Sequence, residues 1–141
     1  MGSINRGRVL VGGIVAGIIL NVGEFLLNEV VLKEDWEAAA AALGIPAPND
    51  PRAVTVWVVY SLVMGIFAVW LYAAIRPRYG AGPRTALCAA SAVWFAVYFM
   101  MCLALWNMGL FPLRPLAIAA VWGLFEICIA TVAGAWFYRE G

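Results

Sequence analysis

Four long apolar segments dominate this sequence of 141 residues, and each is long enough to cross a membrane. They cover about residues 9–32, 53–75, 85–106 and 116–138. A helix needs roughly 20 apolar residues to span the hydrocarbon core, and only helices and closed barrels satisfy their own backbone hydrogen bonds there. The sequence therefore predicts an all-α integral membrane protein, in which residues 1–141 form one four-transmembrane-helix bundle.

The composition is that of a membrane protein. Hydrophobic residues make up 65% of the chain and charged residues only 12%, whereas soluble domains are nearer half apolar and a quarter charged. A net charge of +1 provides no basic surface for nucleic acid. The absence of histidine removes the usual haem ligand and most zinc sites. We therefore predict no metal, no cofactor and no catalytic residues, and we do not expect an enzyme.

Basic residues are distributed unequally between the two sides of the predicted bundle. One side has Arg6, Arg8, Arg76, Arg78, Arg84 and Arg139, and the other has Lys33, Arg52 and Arg114. Because short cytoplasmic loops are enriched in Lys and Arg, both termini are predicted to be cytoplasmic. The first apolar run is long and is interrupted by polar side chains, so we expect it to be retained as a span and not cleaved as a signal peptide.

The loop at 33–52 is the largest predicted soluble piece and lies on the external side. Residues 34–43 are rich in helix-forming residues, and Gly44 follows them as a stop signal. This pattern predicts a short external surface helix after the first span, with Trp36 at the lipid interface.

Two carboxylates lie within the predicted spans. Glu24 is in the first span, and Glu126 is the only charged residue of the fourth. A charge at mid-depth costs at least about 3 kcal/mol, so such residues usually face the bundle interior. With a rise of about 1.5 Å per residue, the two carboxylates fall at similar depth on antiparallel helices. Contact between them is therefore geometrically allowed, although the sequence does not establish it.

Small and polar residues follow one face of each of these two helices. On the first helix the face comprises Gly13, Gly17, Asn21, Glu24 and Asn28, at spacings of three or four. On the fourth helix it comprises Ala119, Gly123, Glu126, Ala130 and Ala133. Small residues let transmembrane helices approach closely. We therefore expect the first helix to pack against the fourth, with Gly13, Gly17, Gly123 and Ala130 as the packing residues.

These faces predict one outward-facing polar site in the outer half of the bundle. It is lined by Asn21, Glu24, Asn28 and Glu126, and capped by Asn107 and Arg114. Neighbouring carboxyl groups titrate as a coupled pair and share a proton, which suits proton coupling or recognition of a small polar or cationic molecule. The alternative is a neutral glutamate–asparagine cluster that only fixes helix register. Trp94 and Trp122 lie near the middle of spans, where packing is expected although the indole N–H needs a partner.

A short phrase at 31–36, Val-Leu-Lys-Glu-Asp-Trp, leads from the first span into the predicted surface helix. In this arrangement, with three more spans following, the chain resembles small uncharacterised four-helix bacterial inner-membrane proteins. The resemblance implies a bacterial inner (cytoplasmic) membrane, and it implies no activity and no residue roles.

We expect a membrane protein that binds or passes a small solute, with proton coupling at the carboxylate–amide site. The alternative function is an accessory or assembly subunit that packs beside a larger membrane complex. The implied partners are the lipid bilayer and a small polar or cationic solute, with a homo-oligomer or a larger complex in the alternative case. A solute site requires Glu24 and Glu126 to approach each other beside a cavity that opens outward.

Overall fold

The computed structural model of the chain describes residues 3–46 and 50–139, so 47–49 of the predicted external loop lie outside the described residues. Its α-helices are α1 (Arg6–Phe25), α2 (Lys33–Leu43), α3 (Pro51–Tyr79), α4 (Pro83–Val93), α5 (Met100–Asn107) and α6 (Leu113–Phe137). A first π-helical segment, Leu26–Val31, continues α1, and a second, Trp94–Phe99, joins α4 to α5. Helix accounts for 87% of the structure and the described part contains no strand, which confirms the all-α class.

Four helical stretches are long and apolar enough to cross a membrane. They are Arg6–Val31, Pro51–Tyr79, Pro83–Asn107 and Leu113–Phe137. Their most apolar 18-residue windows have mean hydropathies of 2.0 to 2.2, which confirms the prediction of four membrane-spanning helices. The cytoplasmic placement of the termini and the external placement of α2 stay predictions.

The helix ends follow local sequence signals. The side chains of Asn5 and Asp50 accept hydrogen bonds from backbone N–H groups at the starts of α1 and α3. The first N–H groups of a helix have no partner within the helix, so these side chains cap them. Pro51 follows Asp50 at the first helical position, where its missing N–H costs nothing. Gly44 ends α2 in the left-handed region at φ 67°, as the stop signal predicts.

The contact between α1 and α3 depends on glycine. A Cβ added at Gly17 would lie 2.7 Å from the Cα of Leu62, and one added at Gly13 would overlap Ile66. Gly13 and Gly17 therefore allow α1 to lie directly against α3. The nearest neighbours of both glycines thus belong to α3, and not to the fourth span against which they were predicted to pack.

A neighbouring stripe of α1 makes the contact with α6. A Cβ at Gly12 would overlap the carbonyl oxygen of Gly134, and Ala16 is fully buried nearby. Consecutive helical residues point in different directions around the axis, so α1 touches α3 and α6 through two adjoining faces. Ala130 on α6 is also fully buried in the core, and its predicted contact with the first span stays a prediction.

Both described ends of the chain meet at one end of the bundle. The backbone N–H of Asn5 donates to the hydroxyl of Tyr138 at 3.4 Å. At the opposite end, Nη1 of Arg114 donates to Oδ1 of Asp35 at 2.6 Å. The second contact joins the start of α6 to α2, and it places α2 over the end of the bundle that is remote from the termini.

Candidate functional site

The phenol hydroxyl of Tyr98 connects the two membrane carboxyl groups. Its oxygen lies 2.8 Å from Oε1 of Glu126 and 3.2 Å from Oε1 of Glu24. Glu126 is only 6% exposed. The first, third and fourth spans therefore converge on one polar cluster of three side chains, which we call the carboxyl cluster.

Counting hydrogens constrains the protonation of the carboxyl cluster. A tyrosine hydroxyl donates one hydrogen and otherwise accepts, while an ionised carboxylate only accepts. Tyr98 therefore donates to one carboxylate, and its contact with the other is a hydrogen bond only when that carboxyl carries a proton. Two adjacent charged carboxylates would also repel each other. The geometry is thus satisfied by one proton shared between Glu24 and Glu126.

Each carboxyl group has a further donor on its own helix. Nε1 of Trp122 donates to Oε2 of Glu126 at 3.0 Å, one turn away on α6. Nδ2 of Asn28 donates to Oε2 of Glu24 at 2.8 Å and to the Glu24 backbone carbonyl at 2.8 Å. These partners hold Oε2 of each carboxyl group, and Oε1 of each faces the Tyr98 hydroxyl.

The network extends out of the spans through Asn28. Its Oδ1 accepts the indole N–H of Trp36 at 2.8 Å, and Trp36 also packs edge-on against Phe111, with ring centroids 5.6 Å apart. Because an indole is only a donor, the Asn28 oxygen must face Trp36 and its nitrogen must face Glu24. A continuous hydrogen-bonded chain therefore runs from α2 to the middle of α6.

Two glycines make space for the carboxyl cluster. A Cβ at Gly123 would overlap the ring of Tyr98, and a Cβ at Gly23 would overlap the carboxyl group of Glu126. Gly123 was predicted to pack against the first span, but its nearest neighbour is Tyr98 of the third span, whose ring belongs to the site.

Both π-helical segments contribute a member of the network. Asn28 lies in the segment Leu26–Val31, and Tyr98 lies in Trp94–Phe99. A π-helical turn contains an extra residue and rotates the following side chains relative to an α-helix, and such turns are frequent at functional sites. The side chain of the third span that meets the carboxyl groups, Tyr98, is thus presented by a π-helical segment.

The other predicted site residues lie elsewhere. Nδ2 of Asn21 donates to the backbone carbonyls of Gly17 at 3.0 Å and Val58 at 3.3 Å, so Asn21 joins α1 to α3. Arg114 pairs with Asp35, as described above, and Asn107 is exposed at the end of α5. The structure thus brings together Glu24, Asn28 and Glu126, and places Asn21, Asn107 and Arg114 outside the carboxyl cluster.

Sequence reasoning missed Tyr98 and the contact between Trp36 and Asn28. A signal for Tyr98 was present, since it lies about 4 Å from the middle of the uncharged span 85–106 at 1.5 Å per residue, whereas interfacial tyrosines lie at span ends. The two mid-span tryptophans both have N–H partners. Trp122 donates to Glu126, and Trp94 donates to the carbonyl of Ala120 at 2.8 Å.

An open groove of about 730 Å³ lies between α1 and α6 beside the carboxyl cluster. Glu126 and Trp122 are among its lining residues, and the rest of the lining is apolar. The predicted cavity opens outward, but this groove opens along the side of the bundle. Within residues 3–46 and 50–139, no three His, Cys, Asp or Glu side chains group closely enough to hold a metal ion.

No protein-family model, curated protein or solved structure matches this chain. The site must therefore be interpreted from its own chemistry.

Proposed function

We propose that this chain is a small bacterial inner-membrane protein that binds a small cationic solute at the carboxyl cluster in exchange for a proton. The observation that carries the proposal is the contact of one Tyr98 hydroxyl with the carboxyl groups of both Glu24 and Glu126.

The exchange follows from the charge of the cluster. With one shared proton the pair carries a single negative charge, which Tyr98, Trp122 and Asn28 stabilise by hydrogen bonds. An arriving cation favours the doubly ionised pair, because an opposite charge stabilises an ionised carboxyl. The proton then leaves the carboxyl oxygen, the solute takes its place, and the net charge of the occupied site remains close to its resting value.

Proton release on binding tests the proposal. We would reconstitute the protein in lipid nanodiscs in weakly buffered solution and add tetramethylammonium or decyltrimethylammonium, recording bound cation and pH together. The wild type is expected to release up to one proton per bound cation. Glu24→Gln and Glu126→Gln are each expected to reduce the release at least tenfold, because a neutral amide cannot take part in the exchange.

Glu29→Gln is the matched control. Glu29 follows Glu24 on the same membrane span, but its side chain is 43% exposed and lies 4.0 Å from the ammonium group of Lys33. Its removal is expected to leave the release unchanged. If neither cation releases a proton from the wild type, the proposal is wrong. The carboxyl cluster is then a structural element that fixes helix register. Such a structural role would also suit an accessory subunit of a larger complex.

A further inference from the structure

The groove between α1 and α6 lies beside the carboxyl cluster, and the exchange as proposed above does not use its apolar walls. We define this lateral groove by its lining residues, which are Ile19, Val22, Gly23, Ala117, Ile118, Val121, Trp122, Phe125, Glu126 and Ile129. Along α6 the lining extends from 117 to 129, a length of about 18 Å at 1.5 Å per residue. Its volume of about 730 Å³ is within the range of small-molecule sites.

The lateral groove combines an apolar wall with one acidic group. Val121, Phe125 and Ile129 are 58 to 65% exposed on its α6 side, whereas Glu126 between them is 6% exposed. The Glu126 carboxyl group lies over Gly23, where a side chain on α1 would displace it. Gly23 and Glu126 both line the groove, whose exposed surface is almost wholly apolar, so the acidic group lies just beneath the groove floor. Such a surface is complementary to a molecule with an apolar body and one positive charge.

Depth distinguishes this molecule from a bilayer phospholipid. Glu126 lies one residue from the middle of α6, or about 1.5 Å along the axis. The hydrocarbon core is about 30 Å thick, so a phospholipid headgroup stays roughly 15 Å from its centre. A phospholipid therefore cannot bring its ammonium group to Glu126 while its headgroup remains at the interface. A smaller amphipathic cation can, since the carboxylate offsets the lost hydration of its charge.

We infer that the solute of the proposed exchange is an amphipathic organic cation, which reaches Glu126 sideways from the bilayer through the lateral groove. The inference rests on the proposed function and adds the class of solute and its route. The apolar part lies along Val121 and Phe125, and the charged group lies at Glu126 beside the indole of Trp122, a ring type that attracts cations.

Two probes with the same headgroup and two matched variants test the inference. Tetramethylammonium and decyltrimethylammonium differ only in the apolar chain. Val121→Trp places bulk in the groove, and Val63→Trp places the same bulk on α3, outside the groove. The two valines are equally exposed, at 58% and 59%. Binding would be measured by equilibrium filtration in nanodiscs, after subtraction of uptake by empty nanodiscs, with Ile118→Phe as a second groove-filling variant.

The wild type is expected to bind decyltrimethylammonium at least tenfold more tightly than tetramethylammonium. Val121→Trp and Ile118→Phe should each weaken binding of the longer cation at least tenfold, and Val63→Trp should change it less than twofold. Equal affinity for the two cations, or full binding in both groove-filled variants, would overturn the lateral route while proton release could still support the exchange. The lateral route would also be overturned if neither cation bound. The same holds if a phospholipid stayed in the groove and decyltrimethylammonium did not displace it.

Discussion

The ring of Tyr98 lies against the backbone of Gly123, and any side chain at position 123 would occupy the same space. This contact sets the position of the Tyr98 hydroxyl, which lies 2.8 Å from Glu126 Oε1. The close approach of the third and fourth spans is therefore part of the site and not only part of the packing.

Gly123→Ala is expected to displace Tyr98 and to abolish proton release, because the added methyl group overlaps the ring. Overpacking of this kind costs about 1–3 kcal/mol of stability, so the variant should also unfold at a lower temperature in detergent. Gly7→Ala is the control. A Cβ there lies 3.6 Å from Asn5 Oδ1, an ordinary contact, and release that survives in Gly123→Ala would contradict the assigned role of this contact.

Tyr98→Phe removes the hydroxyl and retains the ring. We expect proton release to fall at least tenfold, and the free energy of unfolding to fall by about 1–3 kcal/mol, because a buried acceptor loses its donor. Proton release recorded with a pH dye and thermal unfolding by circular dichroism measure the two effects. Tyr79→Phe, at a position that is 62% exposed, should change neither quantity, and unchanged release in Tyr98→Phe would remove Tyr98 from the exchange.

The contact between Trp36 and Asn28 is expected to contribute to stability as a pair. Trp36→Phe removes the N–H donor but retains an aromatic ring beside Phe111, and Asn28→Leu removes the acceptor. A double-mutant cycle on chemical unfolding should yield a coupling energy of about 0.5–3 kcal/mol, since residues in one hydrogen-bonded network are not additive. Strict additivity would indicate that Trp36 and Asn28 are not energetically coupled, and would contradict a stabilising role for this contact.

The ion pair of Arg114 with Asp35 is expected to contribute little. The Arg114 side chain is 71% exposed, and exposed pairs are worth about 0–1 kcal/mol and weaken in salt. Asp35→Asn should therefore lower the unfolding temperature slightly at low salt and not measurably at 1 M NaCl. Arg114→Gln should behave in the same way, and a large loss in both variants at high salt would show a role beyond charge pairing.

Much of the site could be found from the sequence, because burying a charge in a membrane is costly wherever it occurs. That cost identifies Glu24 and Glu126 without knowledge of any contact, and their similar depth follows from the rise per residue. Asn28 follows from its spacing to Glu24, since residues four apart lie on one helical face. The role of Tyr98 could not be predicted in this way, because an uncharged side chain in an apolar span is assigned to a site only by its contacts.

The sequence by itself determined the membrane class, the four spans, the end of α2 at Gly44 and the two carboxylates within the spans. These depend on local properties, namely apolar length, backbone conformation and the solvation of charge. Only the tertiary structure decided that Gly13 and Gly17 face α3, that Asn21 bonds to Val58, and that Tyr98 joins Glu24 to Glu126. Those contacts depend on how each helix is rotated about its axis. This rotation is related to the π-helical segments and to the close approach at Gly23 and Gly123.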